Sequence, residues 1–137
     1  MKDHTKLRAF ELADSLALAV YRATKSFPRQ ELFGLSSQMR RAAVSVASNI
    51  VEGCARYSEA EYLRFLEMAS GSAREVEYQT TLAYRLEYLN DSDYQAFCIL
   101  YLTAYSLTCA LRLRNSLRTA AIPTMKRYSL QPLKLSL

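Results

Sequence analysis

The sequence predicts an all-α protein, an antiparallel up-and-down four-helix bundle with a short non-helical C-terminal tail. Three observations support this prediction. Apolar residues recur at steps of three and four along four segments of the 137 residues, as in helices with one buried face. Half of the residues are hydrophobic, and the chain has only three glycines and three prolines. The sequence contains no alternating strand pattern, hairpin signal or glycine-rich phosphate loop.

The first two predicted helices are separated by a proline. The first covers about residues 5–26, and Pro28 follows its last apolar position. The second covers about residues 30–54 and has an apolar stripe of the same period. Gly53 lies where a helix C-cap is expected, so we place the end of the second helix there.

The third predicted helix has a distinct beginning. Ser58 is followed three positions later by Glu61, which is the spacing of a capping box. The apolar period then continues to about residue 89, where Asn90 and Asp91 interrupt it. At 1.5 Å per residue, this helix would be about 45 Å long.

The fourth predicted helix covers about residues 91–119, and prolines follow it. Pro123 and Pro132 predict a non-helical tail, because proline lacks the N–H group that a helix interior needs. We therefore divide the chain into a four-helix bundle, residues 1–121, and a basic C-terminal tail, residues 122–137.

The net charge of +5 comes entirely from the C-terminal third of the chain. Residues 1–93 hold 12 basic and 13 acidic residues, whereas residues 94–137 hold six basic residues and no carboxylate. An unbalanced basic segment predicts a polyanionic partner, most often RNA or DNA. The alternative is a solvated helix end whose cations complement the helix dipole. The candidate nucleic-acid-binding residues are Arg112, Arg114, Arg118, Lys126, Arg127 and Lys134.

A ridge of polar residues follows one edge of the second predicted helix. Its members recur at steps of three and four, so they share one side of the helix. Buried polar groups left unpaired cost about 1–3 kcal/mol each, so we expect the ridge to pair with the third helix in a structural network. The ridge is Arg41, Ser45, Ser48, Asn49 and Glu52, its counterpart is Ala69, Gly71, Ser72 and Glu75, and the predicted buried network is Arg41, Asn49, Glu52, Ser72 and Glu75.

The same two helices carry the motifs of a known family. The chain resembles the four-helix-bundle family of proteins encoded by intervening sequences in bacterial large-subunit ribosomal RNA genes. It is also similar to the accessory variability determinant of diversity-generating retroelements. The resemblance covers about residues 6–119. The motifs are Leu35-x-x-Gln38-x-Arg40-Arg41-Ala42-x-x-Ser45-x-x-x-Asn49-Ile50-x-Glu52-Gly53 and Phe65-Leu66-x-x-Ala69-x-Gly71-Ser72-x-x-Glu75.

The resemblance implies a non-enzymatic bundle that assembles into a ring-shaped homopentamer. For the retroelement relatives it further implies a basic surface that binds RNA or DNA, and a reverse transcriptase as partner. This chain has Ala47 where many relatives have proline, so we expect no kink in its second helix. The tail after Ile122 lies outside the resemblance.

The sequence offers no residues for the common catalytic or metal centres. Its only histidine is His4, which excludes the Glu-x-x-His pairs of di-metal bundles and the Ser-His-Asp and Cys-His sets of nucleophilic enzymes. Cys54, Cys98 and Cys109 lack metal-ligand spacing, and we expect small buried or half-buried thiols. We therefore predict that the protein is no enzyme and has no catalytic residue, metal or cofactor.

The ten tyrosines predict assembly of several copies. They fall on several helix faces and are too many for one slim core, and tyrosine is common at subunit interfaces. Stacking on unpaired bases is the alternative use of these rings. The chain start lacks a secretory signal, and no apolar run approaches the roughly 18 residues that span a bilayer, so we expect a cytoplasmic protein without membrane contact.

These observations predict a non-enzymatic, oligomeric, nucleic-acid-binding accessory protein. A retroelement reverse transcriptase is its candidate protein partner. The alternative is a structural oligomer or protein-interaction module of the intervening-sequence type that has no direct contact with nucleic acid.

Overall fold

Four antiparallel α-helices form the bundle within the described part of the chain, which confirms the predicted fold class. The computed structural model describes the backbone of residues 1–128 and the side chains of residues 1–115 and 117. Within that part of the chain there is no strand. The helices are α1 (Arg8–Ala23), α2 (Leu35–Cys54), α3 (Glu59–Arg85) and α4 (Asp91–Tyr128).

Each helix packs against the next along the chain, and α4 also packs against α1. Side-chain contacts fix the antiparallel register. The guanidinium of Arg40 in α2 donates a hydrogen bond to Thr24 Oγ1, just after α1, at 2.8 Å. Glu67 in α3 accepts one from Arg112 in α4 at 3.2 Å. The arrangement is therefore the up-and-down topology that short connections favour.

The core consists of two adjoining apolar clusters. One lies towards the α1–α2 loop and includes Leu16, Met39 and Phe97. The other lies towards the α2–α3 turn and includes Ile50 and Leu66. The predicted stripes of all four helices contribute to these clusters, because residues three and four apart share a helix face.

The start of α3 follows the capping rule. The backbone N–H of Glu61 donates to Ser58 Oγ at 3.1 Å, as the Ser58-to-Glu61 spacing predicts.

The end of α3 lies earlier than predicted, at Arg85. Glu87 has a positive φ of 62°, and its N–H donates to the carbonyl of Tyr84. The N–H of Tyr88 donates to the carbonyl of Ala83 at 2.9 Å. These two bonds form a Schellman motif, which ends the helix before Asn90.

The start of α2 lies later than predicted. A short 3-10 turn, Arg29–Glu31, comes first, and α2 begins at Leu35. The Glu31 carboxylate accepts a hydrogen bond from the Leu35 N–H at 2.8 Å. A Cβ on Gly34 would lie 2.6 Å from Glu31 Oε2, so glycine leaves room for this cap.

The fourth helix continues to Tyr128, beyond the predicted end near residue 119. Pro123 therefore lies within this helix and does not end it. Residues 129–137, which include the second proline of the predicted tail, lie outside the described residues.

The composition of α4 departs from one expectation. A window within Asp91–Asn115 has a mean hydropathy of 1.5, so by length and composition alone this helix could cross a membrane. The core helix of a bundle can pass the same test. The expectation that no segment is that apolar is therefore corrected.

Two glycines occupy opposite environments. Gly53 lies in the last turn of α2, and a Cβ there would be 2.8 Å from the Cβ of Phe65 in α3. Gly53 therefore permits a close helix approach rather than forming the C-cap. A Cβ on Gly71 would meet nothing within 4 Å, so no close approach of a neighbouring helix requires glycine there.

Candidate nucleic-acid interface

The two ends of the bundle differ in how they are packed. We call the end formed by residues 1–8, the α2–α3 turn and residues 107–115 of α4 the closed end. The end formed by the α1–α2 loop, residues 24–34, and the α3–α4 loop, residues 86–90, is the open end.

The closed end is fastened by the start of the chain. The N–H of Lys2 donates to the carbonyl of Cys54 at 2.9 Å, and its ammonium lies 3.2 Å from Glu59 Oε2. The same ammonium lies 3.7 Å from the ring centroid of Tyr62. At the turn, Arg56 pairs with Glu52 at 2.5 Å.

Arg112, a predicted nucleic-acid-binding residue, lies at the closed end and has an acidic partner. Its guanidinium Nη2 is 3.2 Å from Glu67 Oε1, and its side chain is 38% exposed. The segment after residue 93 has no carboxylate of its own. The fold supplies one from α3, which partly neutralises this cation.

Arg114 lies exposed on the same end, beside cations from the start of the chain. It lines a shallow groove of about 330 Å³ together with Lys6 and Arg8. Lys6 and Arg8 form surface ion pairs with Asp3 and Glu11, at 3.7 and 2.6 Å. Arg114 forms no ion pair with a described residue, which makes it the most available of the predicted cations whose side chains are described.

The other predicted cations follow along the same helix. Arg118, Lys126 and Arg127 belong to α4, but their side chains lie outside the described residues, as does Lys134 altogether. The helix that carries them has 38 residues, against 27 in α3.

The predicted polar network between α2 and α3 exists in a smaller form. Ser45 Oγ and Ser72 Oγ are 2.8 Å apart and join the two helices. The buried amide of Asn49 donates to the Ser45 carbonyl at 2.8 Å and to Ser45 Oγ at 3.0 Å. Asn49 and Ser72 therefore belong to the network, as predicted, and Ser45 connects them.

Arg41, Glu52 and Glu75 do not belong to it, which corrects the prediction. All three are exposed; Glu52 pairs with Arg56, and Glu75 accepts a hydrogen bond from the Gln79 amide at 3.2 Å. The reason is that the ridge residues point in different directions around the axis of α2. A ridge built from steps of three and four spans about 100° of a helix with 3.6 residues per turn, so only its inner edge is covered.

The open end contains a larger groove that the sequence analysis missed. It has a volume of about 660 Å³ and runs between α1, the α1–α2 loop and α2, reaching α3 at Glu75. Arg40, Arg41 and Phe33 line it, and the side chain of Phe33 is 92% exposed. The signal available in the sequence was the apolar pair Leu32-Phe33 directly before Gly34, in a loop where no core is expected.

A family model matches residues 5–107, most of the bundle. The chain belongs to the 23S rRNA-intervening sequence protein family. A crystal structure from Bacteroides thetaiotaomicron VPI-5482, described as a protein of unknown function from the S23 ribosomal protein family, has the same fold with a TM-score of 0.69. It is 23% identical, and the match covers 76% of this chain and 97% of that one. No curated protein matches the chain significantly.

Three buried titratable groups of this intervening sequence protein are held in their neutral forms. Burial raises the pKa of Tyr62 to about 12 and also raises the pKa of Tyr101 and of the Cys54 thiol. These groups therefore stay protonated at neutral pH. Among the side chains that the structure describes, no group of three or more His, Cys, Asp or Glu could hold a metal ion.

Proposed function

We propose that this protein is a non-enzymatic, cytoplasmic homo-oligomer, a pentamer, that binds RNA or DNA through the basic C-terminal part of α4. The observation that supports this most is the charge of residues 94–137, with six cations and no carboxylate. The fold adds Lys6 and Arg8 beside the exposed Arg114. In an oligomer this cluster would be repeated, which strengthens attraction to phosphate groups.

Assembly of several copies is supported by the outer face of α4. Four large apolar side chains there are about half exposed or more and fall within a 60° sector of the helix. Phe97, Tyr101 and Thr108 are buried on the opposite face. An uncovered apolar stripe this long favours an interface in water. The four side chains are Ile99 (68% exposed), Leu102 (47%), Leu113 (65%) and Leu117 (70%).

Nucleic-acid binding is tested by removing three cations from α4. Replacing Arg112, Arg114 and Arg118 by Gln should weaken binding to a structured RNA or a DNA duplex at least ten-fold. It should also reduce the slope of log affinity against log salt by up to about 2.7, since each phosphate contact contributes about 0.9. Fluorescence anisotropy over a range of salt concentrations measures both quantities.

The matched control removes three cations elsewhere. Replacing Arg22, Arg74 and Arg85 by Gln changes the net charge equally but leaves the basic part of α4 intact. Equal losses in the two triple variants would mean that only total charge matters. A wild-type protein that binds neither probe at low salt would leave the structural oligomer as the function.

Assembly is tested on the apolar stripe. Light scattering should give a particle of about 78 kDa for five copies of the 15.6 kDa chain. Replacing Ile99 and Leu102 by Glu should yield monomers, because two charges would be buried at the interface. The control replaces Leu18 and Tyr78, which have similar exposure on α1 and α3, by Glu.

A monomeric wild type at micromolar concentration would rule out the oligomer. If the wild type binds lipid vesicles and the Ile99/Leu102 variant does not, the stripe contacts a membrane instead.

We further propose that the accessory role resembles that of the retroelement relatives, with a reverse transcriptase as partner. The support is the motif resemblance in α2 and α3. A tagged chain expressed with a reverse transcriptase encoded beside its gene should retain that enzyme on an affinity column. If the reading frame lies instead within a ribosomal RNA gene and no such enzyme is nearby, the partner proposal fails.

A structural oligomer without nucleic acid is the second candidate function. The apolar stripe on α4 favours it, because assembly alone would account for that surface. Assembly in light scattering, together with no binding of either nucleic-acid probe at low salt, would leave this candidate as the function.

A further inference from the structure

The open-end groove combines three features that the proposed function does not use. It is large, with a volume of about 660 Å³, it is lined by arginines that form no ion pair with a described residue, and it has an exposed aromatic ring at its rim. It lies at the opposite end of the bundle from Arg112 and Arg114.

The two arginines of the groove differ in how they are positioned. Arg40 is half-buried; its Nε donates to Thr24 Oγ1 at 2.8 Å, and its guanidinium lies 5.0 Å from the ring centroid of Tyr21. Arg41 is exposed. Neither forms an ion pair with any residue that the structure describes, so both are available to an anion entering from solvent.

Two further cations extend this surface. An adjoining groove of about 190 Å³ shares Arg40 and Leu32 with the first and is also lined by Lys25 and Arg29. Like the two arginines, Lys25 and Arg29 form no ion pair within the described part of the chain. The four cations thus form a continuous track around the α1–α2 loop.

The carboxylates nearby are fewer than the cations. Glu75 lines the larger groove and accepts a hydrogen bond from Gln79 at 3.2 Å. Both Glu31 oxygens are occupied, one by the Leu35 N–H at 2.8 Å and the other by the Tyr88 hydroxyl at 3.3 Å. The track therefore keeps a net positive charge.

The aromatic side chains supply the second half of the site. Phe33 is 92% exposed and Tyr21 is 45% exposed, and both line the groove beside the arginines. A positive groove that can follow a phosphate backbone, with aromatic rings on which bases stack, is how proteins bind single strands without sequence preference.

We propose that this groove binds a single-stranded RNA or DNA segment, with phosphates on Arg40 and Arg41 and an unpaired base stacked on Phe33. The inference shares the class of partner with the proposed function, on which it rests to that extent, but it uses a separate surface. One protein would then hold a structured region at its closed end and an unpaired strand at its open end.

The absence of tryptophan from the chain allows a direct test. Phe33→Trp introduces a single tryptophan at the groove, whose emission can be excited separately from that of the ten tyrosines. Its emission should be quenched as oligo(U) or oligo(dT) of about ten nucleotides is added, with an apparent affinity that falls as salt rises. Tyr57→Trp is the matched control, because Tyr57 is also 92% exposed but lies in the α2–α3 turn. We expect no quenching of that variant.

Two substitutions separate the contributions to binding. Phe33→Ala should weaken binding of labelled oligo(U) roughly ten-fold. Arg41→Gln should weaken it and lower the salt dependence by about 0.7, the value for one phosphate contact of a single strand. Arg85→Gln removes an exposed cation outside the groove and should leave binding unchanged.

Competition identifies which chemistry the groove recognises. Unlabelled oligo(U) and oligo(dT) should both displace the probe, and their ratio tells whether RNA is preferred. If inorganic phosphate displaces the probe with the same efficiency as the oligonucleotides do, the groove is only an anion site, and base stacking is overturned. Displacement by free uridine monophosphate at equal phosphate concentration would make the ligand a nucleotide rather than a strand.

Several outcomes would overturn the inference. Phe33→Trp that shows no quenching excludes base stacking there. An emission shifted to the blue before any nucleic acid is added, together with dissociation of the oligomer by Phe33→Ala, would make the groove an interface between copies. Structured-RNA binding that is unchanged in the triple α4 variant, with quenching at Phe33→Trp retained, would reject the proposed function and leave this site standing.

Discussion

The two ends of the bundle differ in how many of their described cations have an acidic partner. At the closed end, Lys2, Arg56 and Arg112 each lie within 3.2 Å of a carboxylate oxygen. At the open end, Arg40 and Arg41 line a groove and form no ion pair with a described residue. The net charge of a sequence segment therefore does not tell which of its cations can bind an anion. In the folded protein, carboxylates from distant segments lie beside some cations and not beside others.

The two ends also differ in how tightly their side chains are packed. The closed end brings α2 so near α3 that Gly53 has no space for a Cβ, whereas the open end leaves Phe33 almost fully exposed. The close packing of α2 on α3 at the closed end contributes to stability, whereas the open end leaves an aromatic side chain available for binding. Four predictions sharpen this comparison.

The largest effect is expected at the closed end. Gly53→Ala would place a Cβ 2.8 Å from the Cβ of Phe65, which cannot move without shifting α3. We expect a loss of about 1–3 kcal/mol in the free energy of unfolding, measured with urea.

Gly71→Ala is the control for that substitution. Its Cβ would meet nothing within 4 Å, so the variant should gain about 0.5–1 kcal/mol from helix propensity. Similar changes in both variants would show that the close approach of α2 to α3 is absent.

At the open end, Gly34→Ala should cost about 1 kcal/mol. Its Cβ would displace the Glu31 carboxylate from the first turn of α2, and the Leu35 N–H would lose its cap. Glu31→Gln keeps an acceptor of the same shape and should cost less, about 0.3–1 kcal/mol, through the weaker interaction with the helix dipole. The unfolding temperatures of the two variants distinguish displacement of the Glu31 side chain, in Gly34→Ala, from loss of its negative charge, in Glu31→Gln.

The α3–α4 loop, also at the open end, contains Glu87, the one non-glycine residue with a positive φ in the described chain. Glu87→Gly should stabilise the protein by about 0.5–1 kcal/mol, because glycine adopts this conformation without strain. A destabilised variant would mean that the side chain of Glu87 makes a contact that outweighs its backbone strain. Chemical denaturation measures the change.

The smallest change in stability is expected for Glu67→Gln. The variant removes the surface partner of Arg112 and should change the free energy of unfolding by less than about 1 kcal/mol. It should nevertheless tighten binding of structured RNA a few-fold, since Arg112 is released for phosphate. Unchanged RNA affinity at low salt would place Arg112 outside the interface.

The sequence by itself determined the class of fold and much of its local structure. Apolar stripes of helical period located four helices, and Ser58 with Glu61 located the start of α3. These features depend on residues within a turn or two of one another, so they can be read along the chain. The motifs in α2 and α3 likewise identified the family.

Only the tertiary structure decided which residues meet. Arg112 and Glu67 are 45 positions apart and pair because α3 and α4 are antiparallel at one particular register. Asn49 is covered and Glu52 is not, because their directions differ by about 60° on α2, and α3 covers only the side nearer the core. Phe33 is a candidate binding residue only because it lines a groove whose walls come from three helices and a loop. Periodicity describes one helix at a time, whereas a surface depends on how several helices are placed together.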